Sequence, residues 1–131
     1  MAALLLIDTD VLVDYLRGRT EAAAYLEART EPLLISAITV AELFAGVREG
    51  EEIRLLEQFL SAFGIVALSP EIAREGGLYR RDYGPSHGVR LADALIAATA
   101  ALRPARLVTL NARHFPMLSA EAPYQKECEK P

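Results

Sequence analysis

The chain has 131 residues, enough for one domain with a hydrophobic core and too few for a second. Hydrophobic residues make up 52% of it and the formal net charge is -4, which excludes a disordered chain and argues against binding nucleic acid through a broad basic surface. Cys128 is the single cysteine, so an internal disulfide and a thiolate metal site are excluded, while the lack of a secretory signal or a bilayer-length apolar stretch predicts a soluble, cytoplasmic protein.

In chain order, Leu4-Leu5-Leu6-Ile7 stops abruptly at Asp8. Four consecutive aliphatics predict a strand buried on both faces, as in a parallel sheet, with Asp8 at its carboxyl end. Val11 to Leu16 reads as a short helix ending near Gly18, and Thr20 is expected to cap a second through Arg29. Pro32 to Ser36 is a second strand. Thr39 and Glu42 have capping-box spacing, so the next helix is predicted to open at Thr39 and to break near Gly50 and Glu51. Ile53, Leu56, Phe59, Leu60 and Phe63 mark an amphipathic helix face closed by Gly64, and Ile65 to Leu68 form a third strand. Ser69-Pro70-Glu71 starts a helix that runs toward Tyr83, and Gly84 to Gly88 read as a loop. Leu91 to Leu102 is an Ala-rich helix, apolar nearly all round, and Arg106 to Leu110 is a fourth strand ending at Asn111. This alternation predicts an α/β domain with a central parallel sheet flanked by helices. The domain is expected to occupy residues 1–125, with 126–131 as a frayed tail that includes Cys128.

Each acidic residue has an ordinary explanation when taken alone. Asp8 would cap the following helix, and Asp10 could share that task or join a site. Asp14 would face water or pair with Arg17 at i+3, with no part in chemistry. Glu42 would complete the capping box, although its apolar neighbours Val40, Ala41, Leu43, Phe44 and Ala45 argue for a buried partner, which a metal could be. Asp93 would cap a helix starting at Ala94 or pair with Arg90; otherwise, in such apolar surroundings, it must be protonated or bound to metal. Asn111 would be a turn residue, and His87 and His114 surface residues.

The joint pattern says more. Asp8, Glu42, Asp93 and Asn111 each fall at a strand end or a helix start, and in a parallel sheet these ends gather on one rim. Oxygen ligands without a cysteine cluster or paired histidines suit Mg²⁺ or Mn²⁺ rather than Zn²⁺.

Four segments, in order and spacing, resemble the PIN domain and, within it, the VapC-type toxins of bacterial toxin–antitoxin pairs. They are Asp8 to Leu16, Ser36 to Leu43, Leu91 to Ala98 and Leu107 to Phe115. The resemblance implies a single PIN-like domain with ribonuclease activity, cutting RNA by in-line displacement to leave a 5′-phosphate and a 3′-hydroxyl. It further implies that Asp8, Glu42 and Asp93 bind metal and that Asn111 completes the catalytic set, with Asp10 and Asn111, the latter through its amide oxygen or a water, as auxiliary ligands. Many relatives carry an acid in the fourth motif where this chain has Asn111 and His114, so the site is expected to hold one or two ions. A homodimer neutralised by a cognate antitoxin is expected, without membrane association. Arg80, Arg81, Arg90 and Arg113 are candidates for drawing RNA to an acidic site.

Three other readings remain open from the residues. One is a PIN-domain RNA-processing nuclease that is not a toxin. Another is a haloacid-dehalogenase-like phosphatase with Asp8 as nucleophile and Asp10 as acid/base, although no lysine precedes Lys126 to balance a phosphoryl group. The last is a non-catalytic binding module whose acids only cap helices.

Overall fold

Apolar strands connected by helices bury both of their faces when helices cover the sheet on each side. The computed structural model, which describes residues 4–125, has this three-layer form. The strands are β1 (Leu5–Ile7), β2 (Leu33–Ser36), β3 (Gly64–Val66) and β4 (Arg106–Val108), all parallel, in the order β3-β2-β1-β4. The helices are α1 (Thr9–Leu16), α2 (Thr20–Glu27), α3 (Ala37–Ala45), α4 (Glu51–Leu60), α5 (Pro70–His87) and α6 (Leu91–Leu102), and a 3-10 turn covers Ala112–His114.

The two-residue alternation of each strand divides the core between the faces. Leu5 and Ile7 of β1, Ile35 of β2 and Val108 of β4 point to one layer, where they meet Val11, Leu12, Leu26, Leu43, Leu56 and Leu60. Leu6, Leu34 and Leu107 point to the other, against Ile72, Ile96, Ala97 and Phe115. The chain steps outward from β1 to β2 to β3 and then returns to the far side of β1 as β4. The strand order therefore reverses between β1 and β4, and a crevice opens at their carboxyl ends.

Several expected boundaries shift for local physical reasons. Ser36, not Thr39, caps α3, because its hydroxyl accepts from Ile38 N–H at 2.9 Å and the helix opens at Ala37. Glu42 is thereby one turn inside the helix rather than in a capping box. Arg19 occupies the cap position of α2 without a side-chain cap, and Thr20 is its first residue. Residues 84–87 are helical, not a loop. Pro85 is exposed, and α5 continues until Gly88, whose φ of 66° supplies the left-handed ending while its N–H bonds Gly84 O at 2.8 Å. Asp14 is buried rather than at the surface: it accepts from the Tyr124 hydroxyl at 2.8 Å, with Arg19 Nε 3.8 Å away. Cys128 and the expected frayed tail lie outside the described residues.

The helices α5 and α6 approach closely because Gly76 has no side chain. A Cβ there would come within 2.5 Å of Leu95 Cδ2 and 3.1 Å of Leu95 Cα. This contact fixes the helix that carries Asp93. Gly76→Ala is expected to destabilise the protein by about 1–3 kcal/mol through overpacking. Gly77→Ala, where the added methyl meets open space, should instead stabilise the helix by up to about 1 kcal/mol. Urea unfolding of the two variants checks the contrast.

Candidate functional site

β1 and β4 are paired with Ile7 opposite Val108, and Asp8 N–H extends the ladder by bonding Val108 O at 2.9 Å. That register sets Asp8 beside Thr109 at the carboxyl edge of the sheet. Asp8 is the N-cap of α1; its Oδ1 accepts from Thr9 N–H at 2.7 Å and its Oδ2 from the Thr109 hydroxyl at 2.7 Å. The capping reading of this residue is realised: one oxygen starts the helix, and the other faces β4.

Asp10, in the first turn of α1, faces the segment after β4. Its Oδ2 accepts from Leu110 N–H at 3.1 Å and from the Asn111 side-chain amide at 2.8 Å. Its Oδ1 is buried and accepts no hydrogen bond from the described residues. Glu42, on the second turn of α3, accepts from the Thr9 hydroxyl at 2.6 Å, and Thr9 also shares a 2.9 Å hydroxyl bond with the buried Thr39. Asp93 lies in the first turn of α6, three residues after its cap Arg90, where the helix dipole favours an anion. Neither expected cap at Ala94 nor a tight ion pair forms: Arg90 Nε is 3.8 Å from Asp93 Oδ2, and the arginine side chain is 76% exposed.

The acids act on one another. Burial pushes the Asp8 carboxyl up to about 7, helped by the negative charge of Asp10 and, more weakly, of Asp93. Burial also raises Asp10, against the hydrogen bonds from Leu110 and Asn111. Asp93 is raised by burial, partly opposed by Arg90 and His114, with Glu42 adding to the rise. Asp8, Asp10, Asp93 and Glu42 therefore form one field of negative charge on the rim. Among the described residues no three His, Cys, Asp or Glu side chains are already gathered at metal-ligating spacing. Asp8, Asp10 and Glu42 are turned instead toward protein hydrogen-bond donors.

Sequence reading passed over four contributors. The Thr109 hydroxyl holds Asp8, the Thr9 hydroxyl holds Glu42 and Thr39 bonds Thr9, contacts that no local pattern in the sequence marks. His114, expected at the surface, is half-exposed with Nδ1 4.0 Å from Asp93 Oδ2. Of the arginines, Arg90 borders Asp93 and Arg113 is exposed on the 3-10 turn after β4, whereas Arg81 pairs with Asp82 at 2.8 Å and Arg80 lies over Gly84.

The PIN domain family model matches residues 5–118. The chain is similar to Ribonuclease VapC19 of Mycobacterium tuberculosis, with 44% identity over 124 residues that cover 91% of this chain and 98% of that protein. It is similar also to Ribonuclease VapC10 of the same organism, with 41% identity over 123 residues and 92% of each chain covered. Its fold superposes on a toxin–antitoxin complex from Klebsiella pneumoniae with a TM-score of 0.81 and 32% identity, over 93% of this chain and 99% of that one.

The raised Asp8 carboxyl gives the metal-free protein a definite pH dependence. Between pH 3.8 and about 7 the unfolded chain loses this proton while the folded protein keeps it. Stability should therefore fall as pH rises through that window, by up to ~1.4 kcal/mol per pH unit from this group. Asp8→Asn should flatten the slope, as read by denaturant unfolding in the presence of chelator.

Proposed function

The chain belongs to the PIN-domain family, and we propose on that premise that it is a divalent-metal-dependent endoribonuclease, the toxin of a toxin–antitoxin pair. The observation that carries the reading is the field of Asp8, Asp10, Asp93 and Glu42 at the β1–β4 crevice, with Asp8 held near neutral pH by burial among like charges. Such a group of carboxylates calls for a cation.

The donors fit Mg²⁺ or Mn²⁺. All are oxygens, as these hard ions prefer, and the buried Oδ1 of Asp10 lacks a hydrogen-bond donor among the described residues. Asp8, Glu42 and Asp93 would hold one or two ions, with Asp10 as a further ligand. When bound, the metal supplies charge neutralisation at the scissile phosphate and a more acidic water. The chain's own residues do the positioning. Thr109 and Thr9 N–H orient Asp8, the Thr9 hydroxyl orients Glu42, and His114 stands against Asp93. Arg90, beside Asp93 but largely exposed, would meet RNA phosphates at the edge of the acidic site, with the exposed Arg113 as a second candidate. Arg81, engaged with Asp82, and Arg80, folded over Gly84, are placed for a supporting part at most.

Partner binding accords with a groove of about 640 Å³ that reaches Glu42, lined by Val13, Leu16, Leu43, Val47, Leu55 and Leu56 and edged by the charged Arg17, Arg48 and Glu52. The apolar face of an antitoxin segment would fit there and cover the acids. We propose in addition that the protein is a cytoplasmic homodimer. No helix among the described residues is long and apolar enough to cross a membrane.

Purified protein should cleave structured RNA with Mn²⁺ or Mg²⁺, and both chelation and Asp93→Asn should reduce cleavage to background. Full activity in either case would remove the metal-carboxylate mechanism. Expression should arrest growth and the co-expressed antitoxin should relieve the arrest. Nuclease activity without arrest would instead favour an RNA-processing role.

A further inference from the structure

Asn111 is held in a way that ligation does not explain. Its backbone N–H donates to Thr109 Oγ1 at 3.1 Å, and its side-chain Nδ2 donates to Asp10 Oδ2 at 2.8 Å. That same Asp10 oxygen accepts from Leu110 N–H at 3.1 Å. An oxygen that accepts from a backbone N–H is not the protonated atom of a carboxyl group, so the Asn111 atom against it must be the amide NH₂ rather than the carbonyl. Thr109 stands 3.4 Å from this oxygen, but its one proton is directed to Asp8 Oδ2 at the shorter distance of 2.7 Å. The Asp10 carboxylate is thus held from one side. Oδ2 collects the donors, while Oδ1 is buried with no hydrogen bond from the described residues.

We infer that Asn111 is a positioning residue: its amide clamps Asp10 by Oδ2, so that Asp10 Oδ1 rather than any atom of Asn111 is presented to a divalent cation beside Asp8. The inference rests on the metal reading of the four acids. Asn111 acts through Asp10 alone, and the neutral amide suits that task because it donates to a carboxylate without adding charge to a site already crowded with acids.

Calorimetric titration with Mn²⁺ across Asn111→Leu, Asp10→Ala and the double variant tests this, with Asn111→Ser as a second variant lacking the amide. Metal-free unfolding first establishes that each is folded. Asn111→Leu should weaken Mn²⁺ binding by about 10-fold or more, the usual loss when a residue supporting a ligand is removed. The same substitution in the Asp10→Ala background should have no further effect, and saturating Mn²⁺ should restore RNA cleavage by Asn111→Leu. Losses that multiply in the double variant overturn the inference, because Asn111 is then a ligand itself. Unchanged Mn²⁺ affinity in Asn111→Leu and Asn111→Ser also overturns it, if Asp8→Asn and Asp93→Asn do weaken binding. Should those two variants leave affinity unchanged as well, the metal reading fails and the inference falls with it.

Discussion

The hydrogen bond from the Thr109 hydroxyl to Asp8 joins residues 101 positions apart, and it exists because β1 pairs in parallel with β4 with Ile7 opposite Val108. One backbone bond extends the pairing beyond the strands, from Asp8 N–H to Val108 O, while Thr109 N–H bonds Glu121 O at a separate bridge from β4. A one-residue slip would turn Asp8 to the opposite face of the sheet and remove it from the crevice. The acid is consequently as well placed as the core itself. Leu6 and Ile7 are fully buried beside it, so the hydrophobic energy of β1 fixes the carboxylate that ends it.

That placement opposes stability locally. Burying a carboxylate costs several kcal/mol unless it is hydrogen-bonded or paired, and like charges nearby add to the cost. The chain offsets part of it with short polar contacts: Thr9 N–H and Thr109 for Asp8, the Thr9 hydroxyl for Glu42, Leu110 N–H and Asn111 for Asp10. These neutral donors orient the acids without cancelling their charge. Arg90 is 3.8 Å from Asp93 and largely exposed, and the His114 ring is 4.0 Å away, neither close enough to neutralise the group. The remaining imbalance is what the proposed metal would remove, and strain of this kind is common where a fold carries function.

Much of the frame was legible in the sequence. The unbroken aliphatic run before Asp8 marked a central strand, Ser69-Pro70 marked the start of α5 with the Ser69 hydroxyl on Ile72 N–H, and the Ala-rich segment marked a buried α6. The errors have specific causes. Thr39 and Glu42 had the spacing of a capping box, but Ser36 ends β2 and caps first, so the tertiary position of the strand end decided the helix start. Gly84 and Pro85 read as breakers, yet the helix continues to Gly88, where the left-handed ending is available. Asp14 looked solvated because its partner, Tyr124, is 110 residues away. Contacts at that separation leave no local trace. The same holds for His114 beside Asp93 and for the threonines that hold the acids.

Crystals grown with Mn²⁺ and measured by anomalous scattering at the manganese edge test the central claim most directly. An anomalous peak in the β1–β4 crevice, with oxygens of Asp8 and Asp93 and the Oδ1 atom of Asp10 in its coordination sphere, is the result required if these acids form a metal site. A fully occupied crystal surface site with no peak among Asp8, Asp10, Glu42 and Asp93, at Mn²⁺ concentrations that support RNA cleavage, would contradict it.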